Sequence, residues 1–206
     1  MLSRARIAVL VSGGGTNLQA LIDAQKNEQL ASGEICLVIS SRPDAYALER
    51  AAAAGIPALV VSRKELGSQE AFEEALLAAL EEYRIDLIVL AGFMTILSGD
   101  FTRRYPRRIL NVHPALIPSF CGKGMYGLKV HEAALAYGVK VTGATVHFVN
   151  EIPDGGEIVI QQPVFVEPGD TPERLQRRVM EQAEWVILPR AVEQVSREIM
   201  KEREST

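Results

Sequence analysis

The chain has few cysteines and no long apolar run. Its 206 residues include only two cysteines, and Cys36 and Cys121 form neither a CxxC pair nor a repeated spacing. This argues against a disulfide framework or a zinc ribbon. No apolar stretch approaches membrane-spanning length, and the first residues lead directly into a strand pattern without the apolar region and cleavage site of an export signal. We therefore expect a cytoplasmic protein with no membrane partner.

A strong excess of either charge is also missing. The chain has 22 Lys and Arg residues against 26 Asp and Glu residues, a formal net charge of -4. This acidic balance gives no electrostatic footprint for nucleic acid and favours a small-molecule ligand. With 48% hydrophobic residues, the chain is long enough to bury one sizeable core. We expect a single domain over residues 1–206, with a charged C-terminal tail from about residue 197 that frays.

Strand and helix patterns alternate along the chain, which is typical of a parallel sheet with right-handed crossovers. The runs predicted as parallel strands are 6–12, 35–41, 56–61, 86–91 and 107–113. Runs 139–149 and 157–165 predict an antiparallel pair, and Thr171 is expected to cap a long helix reaching about Val195. The predicted fold class is a single-domain, Rossmann-like α/β fold: a mostly parallel twisted sheet with helices on both faces and an antiparallel C-terminal strand pair.

Leu110–Pro118 places two polar residues where an apolar strand ends. Asn111 and His113 are two residues apart, so in a strand both side chains point to the same side. Pro114 disfavours helical geometry at His113 and keeps the chain extended beyond the sheet. The pattern fits either a capped strand with a surface histidine, or an amide and an imidazole that share a pocket at the edge where such folds bind ligands.

A glycine-rich segment, Ser12–Asn17, joins the first strand to the first helix. We expect Thr16 to cap that helix, and the free amides at its N-terminus favour an anion such as a monophosphate. As a dinucleotide fingerprint the segment is imperfect, because Leu18 replaces the third small residue, and it does not match a Walker loop. A tight turn without a ligand is the alternative.

The apolar segment Gly92–Leu97 follows the fourth strand and suits either core beneath a loop or an apolar wall for a ligand. Asp154, between Pro153 and two glycines, is a common turn residue. If it reaches Asn111 and His113, the three groups suit a direct transfer through a tetrahedral oxyanion. In that arrangement the carboxylate would raise the pKa of His113, and the imidazolium and the amide would donate to the negative oxygen.

Other chemistries have weaker support. His113, His131 and His147 lack ligand-pair spacing, so we expect no metal, and the positions of His131 and His147 are more typical of packing or surface than of chemistry. No GxSxG elbow is present. Cys121 lies in a glycine-rich loop, residues 119–127, which does not hold a nucleophile in place and is a candidate lid.

Five segments, in this order, carry a family resemblance: VSGGGTNLQALID, LAGFMTILS, LNVHPALIPSF, GATVHFVNEIPDGG and QAEWVILP. Over about residues 5–195 the chain resembles the folate-dependent phosphoribosylglycinamide (glycinamide ribonucleotide) formyltransferases of purine synthesis. The resemblance implies transfer of a formyl group from 10-formyltetrahydrofolate, a co-substrate, to the amine of 5'-phosphoribosylglycinamide. Tetrahydrofolate is released.

The resemblance also implies roles residue by residue, with Asn111, His113 and Asp154 as the catalytic trio. The substrate phosphate and the ribose or amine end are expected at Gly14, Gly15, Thr16, Asn17 and Glu184. The folate is expected at Leu90, Met94, Thr95, Ile96, Leu97, Ile109 and Asn111. The implied partners are these small molecules, and the protein is expected to be a monomer or a homodimer.

Two positions depart from the family pattern. Family members often carry Arg where Thr95 stands and a second basic contact near Gln69, which leaves the contacts to the folate tail and to the phosphate at these positions open. The nearest alternative is another formyl-folate enzyme, a transfer-RNA formyltransferase or a formyl-folate hydrolase, but each carries an additional domain for which we expect no room. A non-catalytic nucleotide-binding or NAD(P)-reductase domain suits the fold but not the trio.

Overall fold

The protein is described by a computed structural model over residues 4–205, which contains one seven-stranded sheet. The strands are β1 (Ala5–Val11), β2 (Gly33–Ser40), β3 (Ala58–Val60), β4 (Leu87–Leu90), β5 (Ile109–His113), β6 (Val141–Phe148) and β7 (Ile158–Phe165). They lie in the order β3-β2-β1-β4-β5-β6-β7. Pairs from β3 to β5 are parallel, and β6 pairs antiparallel with β5 and β7. The predicted fold class is confirmed.

Helices cover both faces of the sheet: α1 (Thr16–Lys26), α2 (Ala47–Ala53), α3 (Arg63–Leu66), α4 (Gln69–Glu82), α5 (Gly99–Arg104), α6 (Leu128–Tyr137), α7 (Pro172–Val179) and α8 (Trp185–Glu204). A π-helical turn, Met180–Glu184, joins α7 to α8. In β1, Ile7 and Val9 belong to the core shared with α1 and α8, whereas Ala8 and Leu10 belong to the core shared with α4 and α5. Both faces are buried, which explains the continuous apolar run in the sequence.

Across residues 4–205, none of these helices is both long and apolar enough to cross a membrane.

The chain changes direction in the sheet between β1 and β4. From β1 it builds outward through β2 to β3, then returns to β4 on the other side of β1 and continues to β5. In such a sheet the loops after the two strands at this reversal separate to opposite faces and leave a crevice at the carboxyl edge. The glycine loop follows β1, and the apolar segment Gly92–Leu97 follows β4, so both border this crevice. Parallel pairing of Leu90 with Asn111 brings the end of β5 to the same edge.

Two local predictions were wrong, and two short helices were not predicted. Thr16 does not cap α1: Gly15 occupies the N-cap position with a φ of 70°, and Thr16 is the first helical residue. The short helices α3 and α5 were not expected, because four and six residues are too few to show a helical period. The charged tail does not fray from about residue 197, because α8 continues to Glu204. Arg203 in this segment is ion-paired with Asp86.

Candidate active site

The end of β5 places Asn111 and His113 beside β6. Antiparallel pairing sets His147 directly opposite Asn111, and the side-chain Nδ2 of Asn111 lies 3.2 Å from Nε2 of His147. His113 is only 4% exposed, and its Nε2 donates to the carbonyl oxygen of Phe120 at 2.8 Å. A surface histidine is therefore excluded, and the imidazole is held by the loop that follows it.

Asp154 joins the two histidines. One carboxylate oxygen lies 3.6 Å from Nδ1 of His113, and the other lies 3.6 Å from Nε2 of His147. The N–H of Gly122 also donates to the carboxylate at 2.8 Å. Asp154 has a positive φ of 56°, which is uncommon for a residue other than glycine and here turns the side chain into the site. The structure thus brings the three residues predicted as a catalytic trio together, with His147 between Asn111 and Asp154.

His147 is the site residue that sequence reasoning missed. It was assigned to packing or surface, yet it is 1% exposed and contacts both Asn111 and Asp154. Its Nδ1 donates to the carbonyl oxygen of Phe148 at 2.8 Å, so in the neutral ring Nε2 is the acceptor. The missing signal was the pairing register of β5 with β6, which no local pattern specifies.

The protonation of His113 differs from the prediction. Burial lowers the pKa of His113 below its ordinary value, and this outweighs the opposite effects of the Asp154 carboxylate and the Phe120 carbonyl. For Asp154, burial acts to raise the pKa, but the hydrogen bonds from His147 and the Gly122 N–H, and the attraction of His113 when that imidazole is protonated, together hold it below its ordinary value. Near neutral pH the site therefore holds a neutral imidazole beside an ionised carboxylate.

An apolar pocket of about 140 Å³ opens beside these groups. It is lined by Leu90, Phe93, Met94, Thr95, Ile96, Leu97, Asn111, His147, Val149, Asn150, Glu151, Ile152, Pro153 and Asp154. Met94 and Ile96 are 56% and 68% exposed, so the segment after β4 presents an apolar wall rather than core. Ile109, expected in this pocket, is instead fully buried in the core with α4 and α5. Gln69 donates to the carbonyl oxygen of Ile96 at 3.1 Å and so supports the wall from behind.

The glycine loop, Ser12–Asn17, borders the crevice on the side opposite the apolar segment Gly92–Leu97. The hydroxyl of Ser12 accepts a hydrogen bond from the N–H of Met94 at 2.9 Å, which ties this loop to the apolar wall. Gly15 needs to be glycine on two counts: its φ is positive, and a Cβ there would lie 2.7 Å from the Cβ of Ala47. The N-terminus of α1 at Thr16 has no side-chain cap, so its amides remain available to a ligand.

Glu184 contacts this loop from the opposite end of the sequence. The π-helical turn ends at Glu184, and the Nδ2 of Asn17 donates to its carboxylate at 2.8 Å. Burial raises the pKa of Glu184, and the bond from Asn17 only partly opposes this. The Oδ1 of Asn17 is buried without a partner among the described residues, which leaves an acceptor for a ligand.

A larger cavity of about 1150 Å³ lies between α1 and α8. Of the residues predicted for the site, only Thr16 lines it. Its polar groups are largely engaged with one another, as in the ion pair of Arg197 with Glu193 and the hydrogen bond of Gln194 to Glu198. The smaller pocket beside Asp154 is therefore the candidate active site.

Comparison with known proteins identifies the class of protein that has this fold and this arrangement of amide, imidazole and carboxylate. The chain belongs to the formyl transferase family, whose model matches residues 5–192. It is 44% identical to phosphoribosylglycinamide formyltransferase of Haemophilus influenzae over 184 residues, 89% of this chain and 84% of the relative. The crystal structure of glycinamide ribonucleotide transformylase 1 from Symbiobacterium toebii superposes with a TM-score of 0.88 at 43% identity, covering 95% of this chain and 89% of that one.

Longer relatives contain the same region. The chain is 46% identical over 193 residues to the trifunctional purine biosynthetic protein adenosine-3 of Homo sapiens. The match covers 94% of this chain but only 18% of that protein, and 19% of the corresponding protein of Gallus gallus. The chain thus spans less than a fifth of the length of these trifunctional relatives.

Proposed function

We propose that this chain transfers the formyl group of 10-formyltetrahydrofolate to the amine of 5'-phosphoribosylglycinamide, giving formylglycinamide ribonucleotide and tetrahydrofolate in de novo purine (IMP) biosynthesis. The observation that carries the proposal is the position of Asp154, which lines the apolar pocket and approaches both His113 and His147. Membership of the formyl transferase family and the likeness to the Haemophilus influenzae enzyme support it. We place the reaction in the cytoplasm, with small-molecule substrates and without nucleic acid.

Each side of the crevice takes one substrate. The pterin of the folate occupies the apolar pocket of Leu90, Met94, Thr95, Ile96 and Leu97, with Asn111 at its inner end. The ribonucleotide phosphate binds the amides from Gly14 to Asn17 at the start of α1, where the helix dipole favours an anion. Glu184, held by Asn17, accepts hydrogen bonds from the ribose or amine end.

The transfer is direct. The substrate amine attacks the formyl carbon, and a C–N bond forms as the carbonyl oxygen becomes an oxyanion. One N–H of Asn111 is used by His147, and its second N–H donates to this oxyanion. His113 is neutral before attack because it is buried, so its Nδ1 takes the proton that the amine loses, with Asp154 guiding it.

Collapse of the intermediate returns that proton. The imidazolium of His113 stabilises the oxyanion and then protonates N10 of the folate as the bond from N10 to the formyl carbon breaks. The amine loses one proton and N10 gains one, so no proton is released. The scheme uses neither a metal nor a covalent enzyme intermediate.

The test is an assay of purified protein with glycinamide ribonucleotide and a 10-formyl folate, followed by the absorbance of the released folate. We expect release that depends on the ribonucleotide. Release without any acceptor would instead indicate a formyl-folate hydrolase. Saturable NADPH binding with no formyl transfer would indicate an NAD(P) domain.

A further inference from the structure

Helix α2 binds the carbonyl groups of the glycine loop. The N–H of Ala47 donates to the carbonyl oxygen of Gly13 at 3.1 Å, and Nε of Arg50 donates to that of Gly14 at 2.8 Å. In a trans peptide the C=O and the following N–H point in opposite directions. The contacts therefore turn the N–H groups of Gly14 and Gly15 away from α2, toward the side left open for an anion.

The contact between α2 and the loop is close. A Cβ at Gly15 would lie 2.7 Å from the Cβ of Ala47 and 3.4 Å from Cδ of Arg50. The loop therefore has little space to shift toward α2. Its peptide orientation depends on the two donors that α2 supplies, one from the backbone and one from the Arg50 side chain.

Arg50 is held by neutral groups only. Besides Gly14, its guanidinium donates to the side-chain oxygen of Gln19 at 2.9 Å and lies over the ring of Tyr46, 5.1 Å from the ring centre. No carboxylate of residues 4–205 forms an ion pair with it, whereas Arg178 is paired with Asp170. Its positive charge is thus fixed beside the loop and left uncompensated, which favours an anion bound there.

We propose that Arg50 is a positioning residue for the phosphate group of the ribonucleotide. It acts through the Gly14–Gly15 peptide, whose N–H it directs to the phosphate, and through its unpaired charge. The inference rests on the proposed function, because that function places a phosphate at this loop. It concerns only the binding of one substrate and leaves the chemical step to the groups around Asp154.

The first test measures steady-state kinetics of Arg50→Met, which keeps an unbranched side chain over the first part of its length but removes both donors and the charge. We expect KM for the ribonucleotide to rise about tenfold, equivalent to about 1.4 kcal/mol, with kcat and KM for the folate within twofold of wild type. Arg50→Lys keeps the charge without the planar fork and should give an intermediate rise of about threefold.

Arg190→Met is the matched control. Arg190 lines the same cavity between α1 and α8 as Arg50, is exposed, and within the described chain forms no ion pair and no hydrogen bond to the glycine loop. We expect its KM values to stay within twofold of wild type. Equal rises in KM for the ribonucleotide in the two Met variants would show that the effect comes from net charge alone, and would overturn the proposal. Unchanged KM in Arg50→Met would also overturn it.

A binding measurement separates this inference from the proposed reaction. Ribose 5-phosphate is titrated into ¹⁵N-labelled protein, and the amide resonances of Gly14 and Gly15 are followed. We expect both amides to shift on binding, with a Kd about tenfold weaker in Arg50→Met than in Arg190→Met. This result would support the role of Arg50 even if formyl transfer failed. Absence of a shift in wild type, or equal Kd values in the two variants, would contradict it.

Discussion

Asn111 and His147 face each other across β5 and β6, and the Asn111 amide donates to Nε2 of His147 over 3.2 Å. Because Nδ1 of His147 donates to the Phe148 carbonyl, Nε2 is left to accept from the amide, which determines which end of the amide faces the ring. The second N–H of Asn111 is then directed by His147. We therefore regard His147 as a positioning residue, which orients the Asn111 amide toward the oxyanion.

His147→Leu removes this acceptor. We expect kcat to fall about 10- to 100-fold. Deleting an oxyanion donor lowers kcat by about 100- to 1000-fold, and a donor that is present but misdirected should cost less than that. KM for both substrates should change less than threefold, because Leu fills the place of the imidazole in the wall of the pocket and the other lining residues are unchanged. His131→Leu is the control, as His131 is equally buried but makes no hydrogen bond in the described structure. Equal kcat losses in the two variants would argue against a positioning role.

Asp154→Asn removes the negative charge that guides the proton to and from His113. Turnover should fall by orders of magnitude while both ligands still bind, because the amide keeps the shape of the side chain but neither attracts nor guides a proton. Asp100→Asn is a suitable control: it makes the same change of side chain at an exposed aspartate that is ion-paired with Arg103 and does not line the pocket. Kinetics and equilibrium binding should be measured on both. Near-normal turnover in Asp154→Asn would exclude the assigned role.

Because His131 is buried, the free energy of unfolding should depend on pH. Burial lowers the pKa of His131 to about 4, mainly through desolvation and secondarily through His113. The unfolded chain takes up this proton near the ordinary value of about 6.5, whereas the folded chain does not until about 4. Stability is therefore retained above 6.5 and lost as the pH falls from 6.5 toward 4. The contribution at pH 5 is about 2 kcal/mol relative to pH 7.

Urea unfolding at pH 7 and pH 5 checks this expectation. His131→Leu should lose about 2 kcal/mol less free energy of unfolding than wild type over that interval, because it lacks the titrating group. Parallel losses in the two proteins would show that His131 does not contribute.

Gly15 and Gly13 offer a matched pair for the phosphate site. Gly15→Ala forces a positive φ on a residue with a Cβ and places that Cβ 2.7 Å from Ala47, whereas a Cβ at Gly13 meets nothing within 4 Å. Gly15→Ala should therefore raise KM for the ribonucleotide at least tenfold and leave KM for the folate nearly unchanged. Gly13→Ala should change KM for the ribonucleotide only slightly. Steady-state kinetics with each substrate varied decides it, and equal losses for both substrates would remove the phosphate assignment.

The sheet was predictable because its central strands are buried on both faces. β1 and β4 read as continuous apolar runs that each end before a glycine turn, and an amphipathic helix follows β1. Strand order and the length of α8 were not predictable in this way. The tail of α8 looks like a solvated charged segment, and it is helical where Arg203 pairs with Asp86, a contact between residues far apart in sequence.

The candidate site was predictable only where its residues lie close in sequence. Asn111 and His113 follow from the two-residue period of one strand, whereas Asp154 was placed by family resemblance. His147 depends on the register between β5 and β6, and Arg50 depends on how closely α2 approaches the glycine loop. The pKa of His113 was predicted in the wrong direction because the sequence indicated a carboxylate neighbour but not the extent of burial.

The most direct measurement of the central claim is a rapid-quench experiment with 10-formyltetrahydrofolate carrying a ¹⁴C-labelled formyl group. Protein mixed with the folate alone should retain no label after denaturation. Addition of glycinamide ribonucleotide should move the label into formylglycinamide ribonucleotide in a single phase, one formyl group for each tetrahydrofolate released. Label bound covalently to the protein, or label that never reaches the ribonucleotide, would contradict direct transfer.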